Sequence, residues 1–224
     1  MSLFIVSTPI GNPKDLTARA ADVLKQCETV IGEERSEVSK LLKSLGLQGK
    51  RLELLNEHSR EEDLNDLLEF CREEDVALVS DCGTPGFCDP GAALVRACRA
   101  EGITVVPVPG ASSLMALLAV SGLQLREFVF SGFLPANTEE RKSAVARLEK
   151  ESRAIFIMDT PYRLSKLLAE LGSRMPKRRA LLGLDLTQES EEIREGTLAD
   201  LAAKYPAKKA EFVLLIHPLD GGNR

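Results

Sequence analysis

Short apolar runs and longer amphipathic segments alternate through the first half of the chain. Residues 3–7, 29–32, 51–55, 76–80 and 104–108 have the length and content of strands. Between them, residues 15–26, 36–45, 60–74 and 90–101 place apolar side chains at helical spacing. Leu16, Ala20, Val23 and Leu24 do so in the first, and Leu64, Leu67, Leu68 and Cys71 in the third. Gly46 and Gly102 stand where two of these helices would end, and Pro90 sits near the first turn of the last. Segment 111–121, rich in small residues, reads as a further, tightly packing helix. Strand and helix in alternation predict an α/β fold with a mainly parallel sheet.

Beyond Gly122 the rhythm changes. Strands are expected at residues 128–134, 154–159, 180–186 and 211–217, and helices at 138–151, 162–171 and 198–205. The charges of the 138–151 helix read as mostly solvent-facing, and Pro161 marks the entry to the next helix. The pattern predicts two α/β domains, 1–122 with a parallel sheet and 123–224 with a mixed one, joined through 123–127. Residues 220–224 are expected to fray.

Composition narrows the class. At 224 residues and 44% hydrophobic, the chain can bury a sizeable core. No stretch approaches the roughly 20 apolar residues of a membrane span, so no membrane partner is expected. A strand begins almost at once, without a signal-type segment. Five cysteines (Cys27, Cys71, Cys82, Cys88 and Cys98) are scattered and form no C-x-x-C pair. That argues against a disulfide framework or a metal cage and for a cytoplasmic location. Cys82 and Cys88 read as small turn fillers, since neither has an evident activating partner. A net charge of −5 speaks against a generally basic nucleic-acid surface while leaving room for a local patch.

Three turns concentrate the chemistry: Ser7-Thr8-Pro9-Ile10-Gly11-Asn12, Asp81-Cys82-Gly83-Thr84-Pro85-Gly86 and Pro107-Val108-Pro109-Gly110-Ala111-Ser112-Ser113. Each follows an expected strand and precedes an expected helix, where α/β proteins hold ligands. The glycines allow close backbone approach, and the prolines stiffen the turns and remove N–H donors. Neither G-x-G-x-x-G nor a P-loop is present, so a phosphate cradle is not indicated. Asp81 can accept from a hydroxyl or ammonium group. Ser112 and Ser113 can cap a helix or touch a ligand.

These turns, with Asp89-Pro90-Gly91, Gly132-Phe133-Leu134-Pro135, Asp159-Thr160-Pro161-Tyr162-Arg163 and Glu195-Gly196-Thr197-Leu198, resemble the tetrapyrrole methylase superfamily. Within it the similarity is to the bacterial small-subunit ribosomal RNA ribose-2′-O-methyltransferases. The resemblance implies S-adenosylmethionine folded into a cleft between two α/β domains, and a homodimer. It implies that Pro9 borders the cofactor, that Asp81, Cys82, Gly83 and Thr84 hold it, and that Ser112 and Ser113 lie beside it. Met158 and Leu184 would close the adenine side.

Acceptor-side motifs depart from that branch. Its A-E-D-T-R is Gly32-Glu33-Glu34-Arg35-Ser36 here, its E-S-P-H-R is Asp159-Thr160-Pro161-Tyr162-Arg163, and its E-L-T-K is Asp185-Leu186-Thr187-Gln188. A ribose hydroxyl must lose its proton on methylation, and Glu33, Glu34, His58 and Asp159 are the candidate groups. Glu33 and Glu34 also read as a solvated pair at a strand end, and His58 as a satisfied loop histidine. Lys177-Arg178-Arg179 could meet RNA phosphate or be a solvated loop. The acceptor implied by resemblance is ribosomal RNA. The alternatives are methylation of a tetrapyrrole or other small molecule, and cofactor binding without catalysis.

Overall fold

A computed structural model describes residues 1–87 and 89–219, so Cys88 and the expected frayed end at 220–224 lie outside the described residues. The chain divides into two compact units, Met1–Ser112 and Ser113–Arg224.

The first unit holds a five-stranded sheet: β1 (Ser2–Val6), β2 (Thr29–Gly32), β3 (Arg51–Leu54), β4 (Val76–Val79) and β5 (Thr104–Val108). The order is β3-β2-β4-β1-β5 and every neighbouring pair is parallel. Alternate residues of each strand feed two cores. One face takes Val6, Val30, Ala77 and Val79 against α1 (Ala18–Gln26) and α2 (Arg35–Ser44). The other takes Leu3, Ile31, Val76 and Leu78 against α3 (Glu61–Glu73) and α4 (Gly91–Ala100). Coverage on both faces explains why the strands read as continuous apolar runs.

Helix α1 starts later than its apolar spacing suggested. Pro13–Asp15 forms a separate 3₁₀ turn, and Thr17 caps α1 by accepting from the Ala20 N–H. Helix α2 ends as expected, with Gly46 in the left-handed region at φ 69°.

In the second unit the strands are β6 (Phe128–Gly132), β7 (Ala154–Met158), β8 (Arg179–Leu184), β9 (Glu192–Thr197) and β10 (Phe212–Ile216). Their order is β6-β7-β10-β8-β9. Only β6 and β7 run parallel, which makes the sheet mixed as expected. Helices α6 (Thr138–Lys150), α7 (Leu164–Arg174) and α8 (Leu198–Lys204) supply the main core with Leu148, Leu164, Leu168, Leu171, Leu198 and Leu201. Helix α5 (Ser113–Val120) belongs to this unit, where Leu117 packs against Gly183 so closely that a Cβ there would come within 2.9 Å. The observed division therefore falls before α5, whereas the rhythm of the sequence put the boundary at 122/123, after it.

Candidate functional site

All five strands of the first sheet point their carboxyl ends to one edge, and the three proline-glycine turns lie along it. The first two are locked together. Thr8 N–H donates to the Gly83 carbonyl at 2.8 Å, Gly83 N–H donates to Thr8 Oγ1 at 3.1 Å, and Thr8 Oγ1 donates to the Ser80 carbonyl at 2.9 Å. The third turn is tied in through Thr84 Oγ1, which accepts from Ser7 Oγ at 3.1 Å and donates to the Ala111 carbonyl at 3.2 Å. Two glycines make this fit possible. Gly83 adopts φ 86°, and a Cβ on Gly110 would sit 2.9 Å from the Ser7 Cβ. Asp89 braces the far side of the second turn by accepting from Gly86 and Gly91 N–H groups.

The end of β2 adds carboxylates to the same edge. Glu33 accepts from Ser80 Oγ at 3.0 Å, and Asp81 accepts from the Glu34 N–H at 3.2 Å. Burial pushes the Glu33 carboxyl above its ordinary value, with the Asp81 charge adding to the effect. Asp81 is raised by partial desolvation and by the nearby Glu34 and Glu37 charges. A cavity of about 440 Å³ opens beside these groups, with walls from Pro9, Ile10, Val38 and Leu41 and polar groups from Asp81, Glu37 and Lys40. Cys82 also lines it, its thiol 3.7 Å from the Ile10 carbonyl. The site offers apolar walls, backbone groups and negative charge, which suits a ligand that is part apolar and part cationic.

The remaining sequence-derived candidates are spread out. Glu34 is exposed and acts through its backbone. His58 is exposed in the Asn56-Glu57-His58-Ser59 turn and lines a different cavity of about 350 Å³ with Arg35, Asn56, Asp63 and Phe70. Ser112 ends the first unit and Ser113 begins the second. In the second sheet, Met158 and Leu184 come to the same end on either side of β10, opposite Val213 and Phe212. Leu184 is 1% exposed, so its side chain belongs to the core.

Asp159 is fully enclosed. It accepts from Arg141 Nη1 and Arg163 Nη1, each at 3.2 Å, and from the Thr160 N–H at 2.9 Å. This is the environment of a loop anchor, and it argues against a base open to a substrate proton. Arg141 itself escaped the sequence reading, which turned the charges of its helix to solvent. It is 3% exposed, binds Glu170 at 2.6 Å through Nε, and leaves Nη2 buried without a partner. The basic run is likewise partly internal: Arg178 donates to the carbonyls of Glu151, Arg153 and His217. Asp185 and Thr187, at φ 45° and 66°, mark a strained turn after β8 that a sequence of ordinary polar residues does not announce.

Comparison with known proteins gives one picture. The model for "Tetrapyrrole (Corrin/Porphyrin) Methylases" matches residues 2–202. A Leptospira biflexa protein named ribosomal RNA small subunit methyltransferase I is 38% identical over 216 residues, covering 96% of this chain and 90% of that protein. One of the same name from Neisseria meningitidis serogroup B is 36% identical over 222 residues, covering 97% of this chain and 76% of that protein. Among solved structures, a cobalt precorrin-4 methyltransferase superposes with a TM-score of 0.69 at 17% identity, over 96% of this chain and 94% of the other. A Thermus thermophilus uroporphyrin-III C-methyltransferase complexed with S-adenosylhomocysteine gives 0.66 at 19% identity, over 97% of both chains.

Proposed function

The chain belongs to the tetrapyrrole methylase family, and on that premise we propose that it transfers a methyl group from S-adenosylmethionine to a ribose 2′-hydroxyl of small-subunit ribosomal RNA. The observation that carries the donor half is the hydrogen-bonded convergence of the Thr8, Gly83 and Thr84 turns beside a cavity where Asp81 is the carboxylate not paired with Lys40. When bound, the donor supplies a methyl group already activated on a sulfonium, so alignment is the main task left to the protein. Residues here fit a cationic, partly apolar molecule. Asp81 offers a carboxylate for an ammonium, Cys82 and Gly83 offer backbone groups, and Pro9 and Ile10 offer apolar contact. Support for the acceptor half comes from relatives named ribosomal RNA small subunit methyltransferase I at 36–38% identity.

Glu33 is the group best placed to take the ribose proton. It is half-buried, raised in pKa and fixed by Ser80, whereas Glu34 and His58 are exposed and Asp159 is enclosed. We also propose a homodimer and a cytoplasmic site of action. Support for association is α5, apolar along nearly its whole length, with Met115 47% and Val120 56% exposed. Sedimentation at micromolar concentration tests it. Among the described residues no helix is long and apolar enough to cross a membrane.

Two measurements test the proposal. S-adenosylmethionine or S-adenosylhomocysteine at 100 times its dissociation constant should stabilise the protein by about 2.7 kcal/mol, and no thermal shift with either would overturn the donor. Labelled methyl should then appear in small subunits that lack the modification. Transfer to a porphyrinogen instead would replace the acceptor, and binding without any transfer would leave a cofactor-binding protein.

A further inference from the structure

The turn after β7 presents Tyr162 with 76% of its surface exposed. Little in the core explains an aromatic ring in that position, yet the backbone beneath it is firmly built. Asp159 holds both ends of the turn, through the Thr160 N–H and the Arg163 guanidinium. Arg141 links the same carboxylate to Glu170 on α7. Pro161 fixes the backbone next to Tyr162 and opens a 3₁₀ turn that runs to Arg163. The ring is therefore pre-positioned, which lowers the ordering cost of any partner that uses it.

One cation touches it and others lie on neighbouring segments. The Lys209 ammonium lies 5.1 Å from the ring centroid, a cation–π contact that still leaves most of the ring open to solvent. Ser165 Oγ donates to the Lys208 carbonyl at 3.0 Å and so holds the 208–209 segment against the start of α7. Lys166 is exposed on that helix, and Arg163 is partly exposed beside it. Glu170 is bound by Arg141 at 2.6 Å and also lies 4.0 Å from the Lys166 ammonium, a partly exposed pair that a phosphate can displace. On a chain of net charge −5, this is a local basic face around a fixed aromatic.

We propose that Tyr162 is a stacking platform for an unpaired nucleotide of the RNA acceptor, with Lys166, Lys208 and Lys209 taking the flanking phosphates. The inference rests on the ribosomal RNA reading above and assigns that reading a contact surface. Base stacking on an exposed ring needs no sequence match, and lysines supply the phosphate contacts that make such binding salt-dependent. An acidic protein partner would use the lysines but would gain little from the ring.

The chain has no tryptophan and two tyrosines, and Tyr205 is buried and donates to Glu192 at 2.7 Å. In a Tyr205→Phe variant the tyrosine emission therefore reports Tyr162 alone. Titration with a short single-stranded RNA should quench it to saturation, and a duplex of equal length should quench it far less. In anisotropy titrations with the same labelled RNA, Tyr162→Ala should weaken binding about ten-fold or more while Tyr162→Phe retains it. Lys209→Gln should reduce the slope of log affinity against log salt by roughly one. The S-adenosylmethionine-induced thermal shift of Tyr162→Ala should match the parent. Equal RNA affinity in Tyr162→Ala, from a parent that binds and methylates RNA, overturns this platform alone. A parent that binds no RNA overturns the acceptor reading with it.

Discussion

Glu33 and Arg141 show how single side chains set the chemistry and the stability of the two units. Glu33→Gln keeps the shape and can still accept from Ser80, but it removes the carboxylate. Methyl transfer to RNA is expected to fall by about 10²-fold or more with little change in S-adenosylmethionine affinity, measured by single-turnover kinetics and thermal shift. An unchanged rate would remove Glu33 from the reaction. Arg141→Met leaves Asp159 and Glu170 without their shared partner and is expected to cost about 3 kcal/mol or more, read by urea unfolding. The importance of Arg141 was not legible in the sequence. Its partners lie 18 and 29 residues away, and nothing in a run of charged helical residues distinguishes the inward one. The turn residues were legible because proline and glycine carry their backbone consequences with them.

At the scale of elements, close packing is the recurring constraint. Helices α7 and α8 cross where Gly172 allows it, since a Cβ there would meet the Leu198 carbonyl at 2.9 Å and the Ala202 Cβ at 3.1 Å. Gly172→Ala should therefore force the pair apart and lower stability by about 1–3 kcal/mol, measured by denaturant unfolding. A loss below a few tenths would show that the helices slide without cost. Buried strands such as β2, β4 and β10 announced themselves as apolar runs. Strand β9 did not, because Glu192-Ile193-Arg194-Glu195-Gly196-Thr197 is a largely polar edge strand. Charged edges resist pairing with other chains, and the same charges hide the strand from a hydrophobicity reading. Helix α5 was found, but its allegiance was not. Its apolar residues gave no sign of which sheet they would meet.

For the molecule as a whole, pH acts through opposing groups. Burial lowers the pKa of His217 below its ordinary 6.5, with Glu195 opposing the shift and Arg179 reinforcing it. The unfolded chain then binds the proton more readily, so this contribution is present above pH 6.5 and is lost as pH falls below it. Burial raises Glu33 and Glu211 above 4.5, so their contribution is present below that value and is lost as pH rises through the raised pKa. Replacing His217 by leucine should make the chain gain stability at pH 5 relative to pH 7 when compared with the parent, read as the difference in melting temperature. An identical pH profile would show that His217 titrates alike folded and unfolded.

The place of β10 has a consequence for how the protein is made. Phe212–Ile216 is the last strand in the described chain, yet it is the central strand of its sheet, between β7 and β8. During synthesis the first unit has all its strands in hand by residue 108, so it can assemble while translation continues. Until residue 216 emerges, β7 and β8 have unfilled edges facing each other's absent neighbour. The nascent second unit is thus exposed to mispairing until β10 is made, and that strand acts as its keystone.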